Sequence, residues 1–123
     1  MKPLSVVIAN GNIHNAEFLL RSLNNHFRVV SVAHDLVDLR HAIPRHKAEV
    51  AIVDLELAKF DDVQQLTREF ADTVIVCTHR LADDGMWTNA LAAGAADCCS
   101  SSDVRSIVLA ASQTKPVAHT HAA

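Results

Sequence analysis

Five short runs rich in β-branched and apolar residues alternate along the chain with five segments of helical period. This alternation is typical of an α/β fold, in which the strands of a parallel β-sheet are joined by crossover helices. The predicted strands cover residues 4–9, 27–33, 50–54, 73–78 and 96–100. A chain of 123 residues, half of them hydrophobic, can build one such domain with a substantial core. We predict that residues 1–113 form this domain and that residues 114–123, which lack any period, are a disordered tail or a linker stub.

Several residues mark where the predicted helices begin and end. Asp35 is expected to cap the second helix, and Pro44 is expected to stop it, because proline clashes with the preceding helical turn. Gly94 follows the fourth predicted helix, residues 85–93, and can take the left-handed conformation that ends a helix. The predicted caps of the third and fifth helices are Asp61 or Asp62 and Ser101 or Ser102, respectively.

Asp54 closes the apolar run Val50-Ala51-Ile52-Val53. Such a run is typical of a strand that is buried on both faces of a parallel sheet. The acid then lies at the carboxyl end of the strand, where ligands bind in open α/β sheets. A strand-end acid that only accepts local backbone N–H bonds is the simpler interpretation, and both interpretations stay open at this point.

Charge and cysteine content argue against several function classes. The chain carries a net charge of -3 and no basic cluster longer than Arg45-His46-Lys47, so nucleic acid is not expected as a direct ligand. Its cysteines, Cys77, Cys98 and Cys99, include no C-x-x-C pair and suggest neither a zinc site nor a disulfide framework. Strand alternation should bury one of Cys98 and Cys99 and turn the other outward or towards the pocket edge. No apolar stretch approaches the roughly 20 residues of a membrane span, and a reducing cytoplasm is the expected location.

Three segments resemble the receiver domains of bacterial two-component response regulators. They are Ile52-Val53-Asp54-Leu55, Val74-Ile75-Val76-Cys77-Thr78 and Ala90-Leu91-Ala92-Ala93-Gly94-Ala95-Ala96-Asp97, and the resemblance covers about residues 4–112. The third segment is the most specific, because receivers commonly carry an Ala-Gly-Ala stretch between the fourth helix and the fifth strand. The resemblance implies a flavodoxin-like fold, with a five-stranded parallel sheet of order 2-1-3-4-5 flanked by five helices. It also implies that Asp54 occupies the position at which receivers accept a phosphoryl group from a histidine kinase.

Other phosphorylation residues of the family are replaced in this chain. The two acids that hold Mg²⁺ in receivers match Asn10 and Gly11, and the lysine that pairs with the phosphoryl group matches Ser101. Mg²⁺ prefers oxygen ligands in octahedral geometry and is usually held by carboxylates, so its binding is expected to be weak or absent. Without the lysine, the phosphorylated state loses charge-assisted hydrogen bonding of a kind worth roughly 1.5 to 3 kcal/mol.

The switch residues of the family are only partly retained. Thr78 matches the hydroxyl residue that follows the phosphoryl group, whereas the aromatic residue coupled to it matches Cys98. His79 is bulkier than the residue usual beside that hydroxyl, and can crowd or cap the pocket. Glu56, two residues after Asp54, is a candidate replacement carboxylate, although a surface-facing loop acid is the commoner role.

The resemblance and its departures predict an atypical receiver that binds other proteins in bacterial signalling or transcriptional control and is not an enzyme. We expect no cofactor and a conformation that does not depend on Mg²⁺-dependent phosphorylation. Receivers commonly associate through the face formed by helix four, strand five and helix five, so Trp87, Leu91 and Cys98 are interface candidates. The expected partner is a second copy of the chain, another regulator, or a DNA-binding effector domain joined through the tail.

Two alternatives remain open. In the first, Asp54 accepts a phosphoryl group while Glu56 and main-chain carbonyls hold a weakly bound metal. In the second, the crevice binds a small anion or nucleotide through hydroxyls, amides and helix N-termini. The residues that offer these groups are Asn10, Gly11, Asn12 and residues 100–102. No phosphate-loop or dinucleotide motif supports the second alternative.

Overall fold

The β-rich runs of the sequence form one parallel sheet in the structure, a computed structural model that describes residues 4–113. The strands are β1 (Ser5–Ala9), β2 (Val29–Ala33), β3 (Val50–Asp54), β4 (Val74–His79) and β5 (Asp97–Ser100). They are ordered β2-β1-β3-β4-β5, and every neighbouring pair is parallel. The predicted fold class and strand order are therefore confirmed. The predicted tail, residues 114–123, lies outside the described residues, so the boundary at residue 113 stays a prediction.

Two layers of helices cover the sheet. The helices are α1 (Ile13–Leu23), α2 (Leu36–His46), α3 (Phe60–Glu69), α4 (Asp84–Ala92) and α5 (Val104–Ala111). Helices α2, α3 and α4 pack against one face of the sheet, and α1 and α5 cover the other. Within β3, Val53 faces the first layer and Ile52 faces the second. This two-sided cover explains why β3 is apolar up to Asp54 and why all five of its residues are buried. Within residues 4–113, no helix is long and apolar enough to cross a membrane.

Helix α2 begins as predicted but ends later. Asp35 caps it, accepting a hydrogen bond of 2.7 Å from the Asp38 N–H. The prediction that Pro44 stops the helix is wrong, since α2 continues to His46 and closes at Lys47, which has a left-handed φ of 51°. Pro44 lies in the last turn with its ring exposed, where it removes only one backbone hydrogen bond near the helix end.

The predicted caps of α3 and α5 are also wrong. Helix α3 begins one residue before Asp61, with Lys59 as its N-cap, and Asp62 instead accepts the Lys59 N–H over 2.9 Å from inside the first turn. Helix α5 is capped by Asp103, whose Oδ1 accepts the Ser106 N–H over 3.1 Å. Ser101 and Ser102 lie in the preceding turn, which the hydrogen bond from Asp103 N to Ser100 O closes over 3.0 Å. The carboxylate of Asp103, one or two residues further along the chain, thus replaces the predicted hydroxyl cap.

Gly94 adopts a positive φ of 106°, in agreement with the predicted end of α4. The turn that it makes brings α4 against α3, where Thr67 Oγ1 donates a hydrogen bond of 3.1 Å to Ala93 O. A Cβ at position 94 would lie only 2.7 Å from Thr67 Oγ1. Both the backbone conformation and the close approach therefore require glycine at this position.

Replacing Gly94 by alanine is expected to lower the free energy of unfolding by about 1–3 kcal/mol, because alanine is strained at this φ and its Cβ displaces Thr67. The measurement is urea denaturation followed by circular dichroism. Gly85→Ala is the matched control, since a Cβ there would meet Asp83 Oδ1 at an ordinary 3.4 Å inside α4. That variant should be neutral or more stable by up to about 1 kcal/mol. A Gly94→Ala protein as stable as wild type would contradict the requirement for glycine at position 94.

Candidate functional site

A cavity of about 330 Å³ lies at the carboxyl edge of the sheet. It opens where strand order reverses, between β1 and β3, which is the usual ligand position in open α/β sheets. The pairing of Ala9 with Val53 brings the residues that follow them, Asn10 and Asp54, to the same edge. The cavity is lined by Asn10, Gly11, Asn12, Asp54, Glu56 and Leu57.

Asp54 is buried at the end of β3, with 3% of its surface exposed. Its Oδ1 accepts a hydrogen bond of 3.2 Å from Thr78 Oγ1 on the neighbouring strand, and its Oδ2 accepts one of 3.0 Å from the Glu56 N–H. Burial raises the pKa of this carboxyl above its ordinary value of 3.8, and the hydrogen bonds from Glu56 and Thr78 oppose that rise. Asp54 and Thr78 thus lie in contact, as the resemblance to receivers implies.

Asn10 is the other buried polar residue of the cavity, with 1% of its surface exposed. Its Oδ1 accepts a hydrogen bond of 2.8 Å from the Asn12 N–H. A flipped amide would place two N–H donors against each other, so this bond fixes which way the amide points. Asn10 Nδ2 is buried and finds no hydrogen-bond partner among the described residues. An unpaired buried donor of this kind costs roughly 1–3 kcal/mol of folding stability.

Glu56 is engaged in an ion pair at the mouth of the cavity. Its Oε2 lies 2.8 Å from Arg80 Nη2, and the two side chains are 42% and 63% exposed. An exposed ion pair contributes at most about 1 kcal/mol, so it stabilises little but does neutralise the carboxylate. Arg80 was not singled out from the sequence. Arg80 lies in the loop after β4, next to the loop after β3 that carries Glu56. Once the strand order is known, this proximity identifies Arg80 as a partner for Glu56.

The remaining predicted pocket residues, Thr78, His79 and Ser101, are not part of the cavity lining, and of these Thr78 contacts it through its hydrogen bond to Asp54. His79 Nδ1 accepts a hydrogen bond of 3.0 Å from the Leu81 N–H, which holds the half-buried imidazole against the following loop. Ser101 is buried, and its backbone N–H donates to His79 O over 3.1 Å. The crowding or capping of the pocket by His79 stays a prediction.

The oxygen atoms that line the cavity and could coordinate a metal are a poor match for Mg²⁺. They belong to one buried carboxylate, one exposed carboxylate paired with Arg80, and two amides, Asn10 and Asn12, whose oxygens already accept backbone N–H groups. Mg²⁺ requires oxygen ligands in near-octahedral geometry. In the part of the chain that the structure describes, no group of three or more His, Cys, Asp or Glu side chains converges as a metal site. The carboxylate of Asp54 in the lining also opposes an anionic ligand.

A second cavity, of about 380 Å³, lies beside α4 and β5. Trp87 borders it with 48% of its surface exposed, and its Nε1 donates a hydrogen bond of 3.0 Å to Asp97 Oδ1. Leu91, one turn further along α4, is half-buried. Cys98 lines the floor of this cavity but is only 8% exposed, so it offers little surface to a partner. Of the three interface candidates, Trp87 presents the most apolar surface.

Both cysteines of β5 are buried and neither lines the cavity at Asp54, so the prediction that one of them turns outward or towards the pocket edge is wrong. Cys98 packs with the α2, α3 and α4 layer and Cys99 with the α1 and α5 layer, because β5 is covered on both faces. Burial raises the pKa of Cys77 and of Cys99 to about 12, and it raises the pKa of Cys98 as well. These thiols are therefore protonated at neutral pH, the unreactive form of cysteine.

Comparisons with known proteins agree with this architecture. No protein-family model and no curated protein sequence matches the chain. Among solved structures, the receiver domain of NarL from Mycobacterium tuberculosis is 19% identical, with a TM-score of 0.76 over 92% of this chain and 100% of that one. A response regulator from Thermotoga maritima is 17% identical, with a TM-score of 0.77 over 92% and 100%.

A response regulator from Burkholderia pseudomallei, solved with a phosphorylated aspartic acid, a calcium ion and citrate, is 25% identical. Its TM-score is 0.76, over 90% of this chain and 67% of that one. The chain therefore has the fold of response-regulator receiver domains, as the three sequence segments predict.

The stability contributed by Asp54 is expected to fall as pH rises. Because the folded pKa lies above the ordinary 3.8, the unfolded chain releases the proton first, and unfolding becomes easier until the pH passes the folded pKa. Wild type should therefore lose stability relative to Asp54→Asn between these two pKa values and run parallel to it above them. The measurement is urea denaturation of both proteins over a pH series.

Asp103→Asn serves as the control of opposite sign. Hydrogen bonds from Ser106 lower the pKa of Asp103, so its contribution is present above pH 3.8 and is lost as the pH falls through the folded value. Wild type should gain stability relative to this variant as pH rises. If the difference between wild type and Asp54→Asn is independent of pH, burial does not disfavour the Asp54 carboxylate.

Proposed function

We propose that this chain is an atypical receiver domain that acts in bacterial signalling by binding other proteins, independently of Mg²⁺-dependent phosphorylation of Asp54. The observation that carries this proposal is the Asn10 side chain. At the edge of the sheet where a carboxylate is needed to share a cation with Asp54, the chain has a neutral amide held by the Asn12 N–H. Binding of Mg²⁺ is therefore expected to be weak or absent.

The charges that stabilise phosphoryl transfer are missing in the same region. Transfer to a carboxylate depends on cations that neutralise the phosphoryl oxygens. Ser101, at the position of the family's lysine, carries no charge, and Arg80 is paired with Glu56. Each charge-assisted hydrogen bond to a phosphoryl group is worth roughly 1.5 to 3 kcal/mol. Both the transfer reaction and the phosphorylated state lose that support.

The structural coupling that would transmit a change at Asp54 to the protein surface is reduced as well. In receivers, an aromatic side chain on the fifth strand responds to the hydroxyl residue that matches Thr78. Here that position is Cys98, a small side chain that is 8% exposed and packed in the core. A buried thiol has no bulky ring whose rotation would alter the surface. A fixed conformation with a constitutive binding surface is consistent with this arrangement.

The surface proposed for partner binding is centred on Trp87. Half-exposed aromatic residues are favoured at protein interfaces because they bury a large area with few rotatable bonds. The hydrogen bond to Asp97 holds the indole in place, which lowers the entropy that it loses on binding. We propose a second copy of the chain as the partner, with another regulator as the alternative. A reducing cytoplasm is the proposed location, which suits three unpaired buried thiols.

A phosphate-accepting receiver is the second candidate, and the Asp54–Thr78 hydrogen bond of 3.2 Å favours it. In that case Glu56 must leave Arg80 and hold a metal together with main-chain carbonyls. The pair is exposed, so its release costs at most about 1 kcal/mol. The two candidates differ in their response to Mg²⁺ and a phosphoryl mimic.

An amide ¹⁵N–¹H NMR titration with Mg²⁺ followed by beryllofluoride distinguishes the candidates. Freshly prepared wild type is expected to show no shifts at Asp54, Thr78 or Ser101. An Asn10→Asp/Ser101→Lys variant regains one carboxylate and one ammonium group at the positions discussed above, and is expected to show them. If wild type shows shifts that Asp54→Asn abolishes, the chain is an ordinary switch with unusual ligands.

Sedimentation velocity over a concentration series tests the proposed interface. Wild type is expected to associate, and Trp87→Ala should weaken association by about tenfold or more, since a buried interface aromatic commonly contributes over 1 kcal/mol. Phe18→Ala is the matched control, because Phe18 on α1 is 45% exposed on the opposite face of the sheet. Equal effects of the two substitutions would argue against a specific interface at α4. A wild type that stays monomeric throughout would contradict the homodimer.

A further inference from the structure

The pair Asn10-Gly11 joins a side-chain amide to glycine, whose backbone nitrogen is the least hindered of any residue. We propose that Asn10 is a site of spontaneous deamidation and that its aspartyl product gives the cavity a second carboxylate beside Asp54. This modification is separate from the partner binding proposed above, because it concerns only the cavity between β1 and β3. It would change the cation affinity of that cavity during the lifetime of the protein.

The reaction is an intramolecular attack followed by hydrolysis. The Gly11 backbone nitrogen gives up its proton and forms a bond to Asn10 Cγ. The bond from Cγ to Nδ2 then breaks, and Nδ2 leaves as ammonia after taking up a proton. Water opens the resulting cyclic imide, either between Cγ and the Gly11 nitrogen to give aspartate, or at the main-chain carbonyl carbon of residue 10 to give isoaspartate. The net change is uptake of one water and loss of one ammonia, without an oxidant or a reductant.

Three features of the folded chain favour the attack. Nδ2, the leaving group, has no hydrogen-bond partner among the described residues, so its departure breaks no such bond. The Asn12 N–H donates over 2.8 Å to Oδ1, the oxygen that gains negative charge in the tetrahedral intermediate. Gly11 is exposed, and its N–H donates to no residue between 4 and 113, so solvent can remove its proton.

The product changes the electrostatics of the cavity. Asn10 and Asp54 both line it, so deamidation places a second carboxylate in the same cavity. Two such groups attract a hard divalent cation, and without one they repel each other. A neutral and a charged form of residue 10 therefore give the same fold two different affinities for Mg²⁺.

Peptide mass spectrometry of the folded full chain, incubated at mildly alkaline pH, tests the site. Asn10 is expected to convert about tenfold faster than Asn24, an exposed asparagine at the end of α1, because the attacking nitrogen of Gly11 is unhindered. In Gly11→Ala, conversion of Asn10 should slow to the rate of Asn24, while Asn24 itself is unaffected. A Cβ at position 11 would lie 3.5 Å from Leu57 Cδ1, an ordinary contact, so this variant is expected to fold.

The outcomes separate the claims. Conversion of Asn10 no faster than that of Asn24, or equally fast in Gly11→Ala, would overturn the deamidation site. Calorimetric titration with Mg²⁺ then tests whether the second carboxylate raises cation affinity. Fresh wild type is expected to show no heat of binding. Asn10→Asp and the aspartyl fraction of aged protein are both expected to bind Mg²⁺. An Asn10→Asp protein that is equally silent would overturn the role of the second carboxylate. Binding by fresh wild type would contradict the proposed function and the need for a second carboxylate, but not the modification itself.

Discussion

The parallel pairing of β1 with β3 is the contact on which the site depends. Its register sets Ala9 beside Val53 and thereby sets Asn10 beside Asp54. Both strands are buried on both faces, so a slip of one residue would draw Asp54 into an apolar core. Burying an ionised carboxylate without partners is among the costliest changes a fold can suffer. The hydrophobic core therefore fixes the relative position of two polar residues, one in the loop after β1 and one at the end of β3.

The neutral amide of Asn10 resolves an electrostatic conflict that a second acid would create. Asp54 is almost wholly buried, and desolvation already raises its pKa. A carboxylate at position 10 would add repulsion between like charges, which only a bound cation could offset. The amide removes that repulsion at the smaller cost of one unpaired buried N–H. A chain with this amide is therefore not expected to need a cation in order to fold, which is consistent with the proposed independence from Mg²⁺.

Much of the fold and part of the site could be predicted from the sequence. The apolar run before Asp54 and the helical periods around it determine the strand and helix order, because burial on both faces leaves a clear periodic signal. Helix caps are harder to predict. Ser101, Ser102 and Asp103 are adjacent and each can cap a helix, and only the turn closed by the hydrogen bond from Asp103 N to Ser100 O selects Asp103. The inward position of both Cys98 and Cys99 followed from helices on both faces of β5, where strand alternation separates two cores and not core from solvent. The Glu56–Arg80 ion pair could not be predicted, because it depends on two side chains from different loops coming within contact distance, and spacing along the chain does not encode that distance.

All three cysteines are buried at one edge of the sheet, so the rate at which a thiol reagent modifies Cys77 and Cys99 can measure local opening of the structure. Cys77 on β4 pairs in register with Cys98 on β5, and both face the layer formed by α2, α3 and α4. Cys99 faces the α1 and α5 layer. Cys98 lines the cavity beside α4, whereas Cys77 and Cys99 are 0% and 5% exposed, so a thiol reagent can reach the latter two only when a helix layer lifts or the strands separate. Modification at Cys99 then reports opening of the α1 and α5 layer, and modification at Cys77 reports opening of the α2, α3 and α4 layer.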